Sequence, residues 1–305
     1  MSKYPTILSF DVGVIHLAYC LMTKKEFTKK TGEKYIDWDI LEWGNIDLTN
    51  RDDMKCECGA KASLSNVVNG EIKYYCKTHA KKVEVVTKAF EEAFIASKQA
   101  DTCCHLVKEN PCGKKTSFKR ENSFYCTTHA KNIHKNLSKS VEMKDFKFKN
   151  SKTLNFDDVK YSLIMVLESK PSLLKADYVV IENQPSFKNP RMKSIACTIY
   201  DYYLIRGIVD KNHTKSNITE VKFMSPSNKL KVATEGDTKL LIKAKATDET
   251  KGYKMTKALG IKYCLDLIQH LPQSIELFNS HKKKDDLADA FLQGAYFYSN
   301  NIKIK

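Results

Sequence analysis

PTILSFDVGVIHLAYCLM (5–22) holds two apolar, strand-type runs broken at Asp11–Gly13. The pattern reads as a strand, a tight turn and a second strand. Gly13 suits the turn and lets a phosphate approach closely. WDILEWGNI (38–46) alternates like a third strand. Asp11 ends the run ILSF (7–10), where a carboxylate beside buried apolar residues carries a desolvation cost unless something pairs with it. Glu182 stands in the same position after DYVVI (177–181), another strand-type run. Asp286 and Asp289 lie in KKKDDLADA (282–290), which reads as the start of a helix. Three residues apart, they point the same way, and the positive end of the helix dipole favours them. Asp285 projects elsewhere. Acids from two strands and one helix can meet at a sheet edge. Their natural partner is a pair of divalent ions about 4 Å apart, which can clamp the attacking and leaving oxygens of a phosphodiester.

After TNRDD (49–53) the character changes, and cysteine, histidine and lysine dominate to about residue 150. Residues 51–150 carry 20 Lys+Arg against 12 Asp+Glu, a net +8 out of +15 for the whole chain. This segment reads as an insertion. Within it, VEVVTKAFEEAFIASK (83–98) has helical periodicity and KDFKFKN (144–150) looks like a basic exit linker. The first pattern then resumes. FDDVKYSLIMVLES (156–169) reads as a helix before the Glu182 strand, and a long apolar helix over 191–208 follows NQPSFKNP (183–190). EVKFMS (220–225) is a further strand, and 234–252 is polar and reads as mobile. KMTKALGIKYCLDLIQHL (254–271) and LADAFLQGAYFY (287–298) close the chain as helices. Three early antiparallel strands followed by strand–helix alternation predict an α/β domain, a mixed sheet with helices on its faces. The expected boundaries are 1–50 plus 151–305 for that domain and 51–150 for the insertion.

A net charge of +15 and a pI near 9.2 favour a polyanionic partner, most simply nucleic acid, over a small-molecule substrate. No stretch approaches the ~20 apolar residues of a membrane span, and the first residues run straight into a strand rather than a signal peptide. An intracellular, reducing compartment is expected, so the ten cysteines read as thiols or metal ligands. Seven of them lie between residues 56 and 126. There, two segments repeat each other: CECGAK (56–61) with YYCKTHAKK (74–82), and PCGKK (111–115) with FYCTTHAKN (124–132). Sets of four Cys and His at such spacings suit tetrahedral, structural Zn²⁺. The first set is Cys56, Cys58, Cys76 and His79. The second is Cys112, Cys126 and His129, with Cys104 or Cys103 as the fourth ligand and His105 a further option. Cys20, Cys197 and Cys264 sit in apolar contexts and read as ordinary thiols.

DVG (11–13), IENQP (181–185), KNPRMK (188–193) and KKDDLADA (283–290) together resemble the Holliday junction resolvases of the RuvC-like, RNase H-fold superfamily, in the mitochondrial and large-DNA-virus branch. The resemblance covers about 1–48 and 151–305. It implies an RNase H-like mixed sheet with helices on both faces. It also implies a homodimeric endonuclease that makes paired, symmetric nicks in four-way DNA junctions by two-metal hydrolysis, using Mg²⁺ or Mn²⁺ and leaving 5′-phosphate and 3′-hydroxyl ends. By motif match, Asp11 bridges both ions, and Glu182, Asp286 and Asp289 complete their shells with the hard oxygens such ions prefer. A lysine near the scissile phosphate is expected; Lys229 is the best match, with Lys231 behind it. Lys188, Arg191 and Lys193 are expected to hold junction phosphates. The apolar helix SIACTIYDYYLIRG (194–207) is a candidate for the dimer interface. A viral source would put the work in the cytoplasm or viral factory of a host cell. The insertion departs from the short resolvases of the family and suggests an added nucleic-acid contact or, alternatively, a protein-recruitment role. Other readings are a RuvC-like nuclease for other branched or flapped DNA, and a catalytically inactive zinc-dependent DNA-binding protein.

Overall fold

The computed structural model describes residues 4–49, 51, 53–68, 70–83, 88–97, 102–148, 150, 153–187, 189–226 and 249–302. Lys188, Lys229 and Lys231 lie outside the described residues, as does most of the polar stretch 234–252. The chain divides into two compact units, Met1–Thr49 with Asn150–Lys305, and Asn50–Lys149.

The first unit is built on five strands: β1 (Ile7–Asp11), β2 (His16–Thr28), β3 (Lys34–Asp47), β4 (Tyr178–Glu182) and β5 (Glu220–Met224). They lie in the order β5-β4-β1-β2-β3. β1, β2 and β3 are antiparallel neighbours, whereas β4 and β5 run parallel to β1. This mixed sheet is the RNase H-like arrangement. The central strand is covered on both faces, which explains why ILSF is an unbroken buried run rather than an alternating one.

One face, with Leu8, Phe10, Val179 and Ile181, packs on α1 (Phe156–Glu168) and α2 (Pro190–Tyr202). The other, with Ile7, Cys20, Met22 and Val180, packs on α3 (Glu249–Ile268), α4 (Pro272–Ser280) and α5 (Lys284–Asn301). The helix expected over 191–208 is α2 continued by a wide π turn, Tyr203–Val209. α4 was not expected; its apolar residues run on from those at the end of α3, and Pro272 marks its first turn. Among the described residues no helix is long and apolar enough to cross a membrane.

α5 is pinned to the sheet by polar as well as apolar contacts. The Ser9 hydroxyl donates to the Ala290 carbonyl. The buried Gln293 amide donates to the carbonyls of Phe10 (3.1 Å) and Val180 (3.4 Å), one on each strand that ends in a candidate acid. Trp43 Nε1 donates to the Leu287 carbonyl at 3.2 Å. A Cβ at Gly294 would collide with Met22 Cε and Ser9 Oγ. Gly294→Ala is therefore expected to lower stability by about 1–3 kcal/mol, the cost of overpacking a filled core. Denaturant unfolding checks this, and an unchanged midpoint contradicts the close approach.

The second unit departs from its expected elements in three places. Within 83–98 the described residues form one helical turn, Phe90–Ala93, and then a strand, Ile95–Ala96, paired with Phe118–Lys119. Tertiary packing overrides the helical periodicity: Phe94 is buried and stacks on Phe90, with ring centroids 5.2 Å apart. The basic stretch from Lys144 is more than a linker, because Lys144–Asp145 pair with Ser65 and Leu64 and Phe146 packs on Tyr74 at 4.8 Å. A long helix, Thr127–Val141, begins inside the second Cys-x-x-His element.

Candidate active site and metal centres

The strand register brings the first two acids together. Phe10 pairs with Ile181, so the next residues, Asp11 and Glu182, lie side by side at the same end of parallel neighbours. Alternation turns both toward the α5 face, the one that Ile7, Ser9 and Val180 also meet. A Cβ at Gly13 would collide with the His16 carbonyl, so the turn after Asp11 needs glycine for its own tightness. Glu182 is buried; its Oε2 accepts from Gln184 Nε2 at 2.7 Å, and the same amide reaches the Val12 carbonyl at 3.4 Å. Gln184 thus ties the two strand ends together, a role that sequence reasoning missed.

α5 supplies the other two acids near its N-terminus, and its neighbours separate their roles. Asp285 forms an ion pair with Lys257 of α3, while Asp286 Oδ2 lies 3.9 Å from Lys283, the residue just before the helix. The Lys257 partnership holds Asp285 below the usual carboxylate range against its burial. Asp286 is shifted the other way. Burial raises its carboxyl, and the negative charges of Asp285 and Asp11 push in the same direction. Asp11 and Asp286 therefore feel each other across the sheet–helix boundary. Asp289 Oδ1 lies 3.6 Å from the place a Cβ would take on Gly260 of α3. Among the described residues, no three of these carboxylates bring oxygens within 4.8 Å of one another. A set of carboxylate oxygens alone, one holding its proton unusually tightly, fits a site for hard divalent cations.

This arrangement has a testable pH signature. Asp286 binds its proton more tightly folded than unfolded. Its contribution to stability is full below about pH 4, its unfolded value, and is lost as pH rises through the raised folded value. At neutral pH without divalent ions, Asp286→Asn is expected to melt above the parent protein. Added Mg²⁺ or Mn²⁺ should raise the melting temperature of the parent and leave the variant nearly unmoved. Equal metal-induced shifts in both proteins would contradict the assignment.

The basic residues after Glu182 separate into two groups. Lys193 Nζ donates to Asn183 Oδ1 at 2.8 Å and lies 4.2 Å from the Phe223 ring centroid, close to the Glu182 strand end. Arg191 instead donates to the Leu154 carbonyl at 2.6 Å and stacks on Phe156, so its guanidinium is engaged at the start of α1. The turn between Glu182 and α2 carries Phe187, which is fully exposed. Sequence reasoning passed over it because the prolines, asparagines and basic residues around it carried the reading of that stretch.

The second unit holds two compact ligand sets. Cys56, Cys58, Cys76 and His79 form one and Cys103, Cys112, Cys126 and His129 the other, each with all four donor atoms within 4.8 Å of one another. Cys56 Sγ lies 3.2 Å from His79 Nδ1, and Cys58 Sγ lies 4.0 Å from Cys76 Sγ. Tetrahedral zinc with ~2.3 Å Zn–S bonds separates its sulfurs by about 3.8 Å, so the spacing fits. In each set the third cysteine caps a helix whose third residue is the histidine. Backbone N–H groups of Cys58 and Cys76 bring the Cys56 thiol down to about 6, toward the thiolate a metal needs.

The second set corrects one expectation. Cys103, not Cys104, is its fourth member, with Sγ 3.4 Å from His129 Nδ1; Cys104 is exposed and outside the set. His105 is outside too, with its ring centroid 4.1 Å from that of His129. The two sets share a frame. An isolated bridge joins the residue before the first ligand to the third residue after the second, Lys55 to Lys61 in one set and Thr102 to Lys115 in the other. In the second set a small hairpin, Leu106–Val107 with Asn110–Pro111, separates the first two ligands. That hairpin hid the correspondence between Cys56 and Cys103.

No family model matches the chain. Among solved structures, the yeast mitochondrial Holliday junction resolvase Ydc2 is similar with a TM-score of 0.35 and 11% identity, over 97% of this chain and 81% of that one. At that score the likeness assigns nothing to individual residues. Among curated proteins, "Uncharacterized protein L451" of Acanthamoeba polyphaga mimivirus is 36% identical over 313 aligned residues, covering 95% of this chain and 74% of the relative. The chain belongs to the L451 family. The match spans nearly the whole chain, so it takes in the cysteine-rich unit as well as the sheet.

Proposed function

We propose that this chain is a Holliday junction resolvase, an endonuclease that makes paired, symmetric nicks in four-way DNA junctions. The observation that carries the reading is the meeting of Asp11 and Glu182, adjacent in register, with Asp286 within electrostatic reach on α5. Two divalent ions held there would neutralise phosphate charge and clamp the attacking and leaving oxygens. Asp11 would serve both ions, with Glu182, Asp286 and Asp289 as the remaining ligands. Gln184 orients Glu182, and Lys257 draws Asp285 away so that Asp286 faces the site. Lys193 is poised at the strand end to hold a phosphate, and exposed Phe187 offers a base a stacking face. Lys229, backed by Lys231, remains the proposed lysine at the scissile phosphate, and Lys188 a phosphate contact; Arg191 would first have to release Leu154.

In this reading residues 1–50 and 151–305 are the nuclease domain. Residues 51–150 are a basic insertion stabilised by two structural zinc ions. The protein would act as a homodimer. Exposed Tyr161, Ile164 and Met165 on α1, with Ile205 and Val209 on the π turn, are apolar surface for a second copy. Cleavage of a labelled synthetic four-way junction in Mg²⁺, beside linear duplex, flap and RNA–DNA hybrid, tests the proposal. Symmetric, ligatable nicks on the junction alone support it. Cleavage of the other substrates keeps the nuclease and moves its target. Tight binding without cleavage favours a DNA-binding protein on an inactive scaffold.

A further inference from the structure

The cysteine-rich unit contains a cavity of about 600 Å³ that involves neither metal set. Its walls come from the 64–75 hairpin, the segment 88–95, the 118–125 hairpin and the helix Thr127–Val141. Two chemistries line it. Val67, Ile95 and Leu137 are apolar, and Lys88, Lys119 and Arg120 are cationic. Residues of the lining brace one another and the aromatic side chains behind them. His134 Nε2 bonds the Lys88 carbonyl at 2.9 Å, and its ring meets Phe90 edge-on at 5.3 Å. The Arg120 guanidinium lies over Phe94 at 5.8 Å, which steadies its plane. Of the two acids in the lining, Glu121 is largely exposed and 3.9 Å from Arg120 Nε, and the other is Glu92.

We propose that this cavity binds a single unpaired nucleotide of a DNA or RNA strand. Its volume lies in the range of small-molecule sites, roughly 300–1,000 Å³. Apolar side chains and a guanidinium plane pack on the face of a base, and the lysines donate to its phosphate. A duplex keeps its bases stacked inside, so the cavity selects strands that expose one. Exposed Ile72, Leu106 and Val107 in the same unit add no comparable enclosure. The inference goes beyond the endonuclease reading and does not require it, because a protein that never cleaves would keep this cavity.

The test uses the full chain carrying Asp11→Asn and a short fluorescein-labelled oligothymidylate, with a blunt-ended linear duplex as the second probe. Anisotropy gives both affinities. Leu137→Trp fills the cavity without changing charge, and Leu137 is already partly exposed, so the fold tolerates it. The expected result is oligothymidylate binding weaker by about tenfold, the scale of one stacked base, with duplex binding and zinc content unchanged. A double Lys119→Ala, Arg120→Ala variant should weaken the same probe comparably. Ser138→Trp fills the same space from the next position and decides the matter if Leu137→Trp loses metal. Unchanged oligothymidylate affinity in a cavity-filled, zinc-replete variant overturns the proposal. So does an equal loss for both probes, since that is general charge rather than a nucleotide site. Junction cleavage by the parent protein is read separately, so either reading can fail alone.

Discussion

Asp11→Asn protein is expected to bind a four-way junction as the parent does and to cleave it about a thousandfold more slowly. The substitution removes one charge and almost no volume from the end of β1. Shape and surface charge, which set binding, hardly change. Cleavage depends on holding cations where charge develops on phosphorus, a contribution of several kcal/mol. A loss of roughly 4 kcal/mol corresponds to a thousandfold in rate. Single-turnover cleavage with both proteins above their Kd measures it. Equal rates would remove Asp11 from the chemistry and with it the two-ion reading. A parallel loss of binding would mean that the end of β1 holds DNA rather than cations.

The second large effect concerns zinc. Cys103→Ser is expected to lower bound zinc from two ions per chain to one, whereas Cys104→Ser should leave two. The neighbouring cysteines share a peptide bond and differ in placement: one thiol is buried against His129 and the other is exposed. Structural zinc contributes on the order of 10 kcal/mol of folding free energy to small metal-dependent modules. Losing it should therefore open the second set and the start of the Thr127–Val141 helix, which Cys126 caps. Elemental analysis with amide exchange over 102–141 follows both consequences. Two ions in the Cys103→Ser protein would restore Cys104 as the ligand, and fewer than two in the parent would refute the paired sites.

The contrast between these cysteines shows where sequence is legible. The sheet was readable because β1 and β4 are short unbroken apolar runs and β3 alternates, and the order of elements admits few topologies. Asp11 and Glu182 announced themselves by ending such runs. The first Cys/His set was readable because all four ligands lie within 24 residues, from Cys56 to His79. The second was not fully readable because a hairpin separates Cys103 from Cys112, and only the backbone bridge between Thr102 and Lys115 reveals the register. Lys257 acts through a contact across 28 residues of chain, so no local pattern marks it; Gln184 stands inside IENQP, but its reach to Val12, 172 residues away, is made only by the fold. Phe90 and Phe94 misled because their helical spacing serves an aromatic cluster that involves Phe118 and Tyr125.

The chain has two tryptophans, and both rest on α5. Trp43 donates to Leu287, two residues before Asp289, and Trp38 meets Phe291 and Tyr298 edge-on at 5.9 and 5.4 Å. Intrinsic tryptophan emission therefore reports the seating of the helix that carries Asp286 and Asp289, with no dye attached and no signal from the cysteine-rich unit. A loss of activity without a change in emission is a fault of chemistry; a loss accompanied by a red shift is a fault of assembly. The protein carries its own optical gauge for telling an inactive variant from an unfolded one.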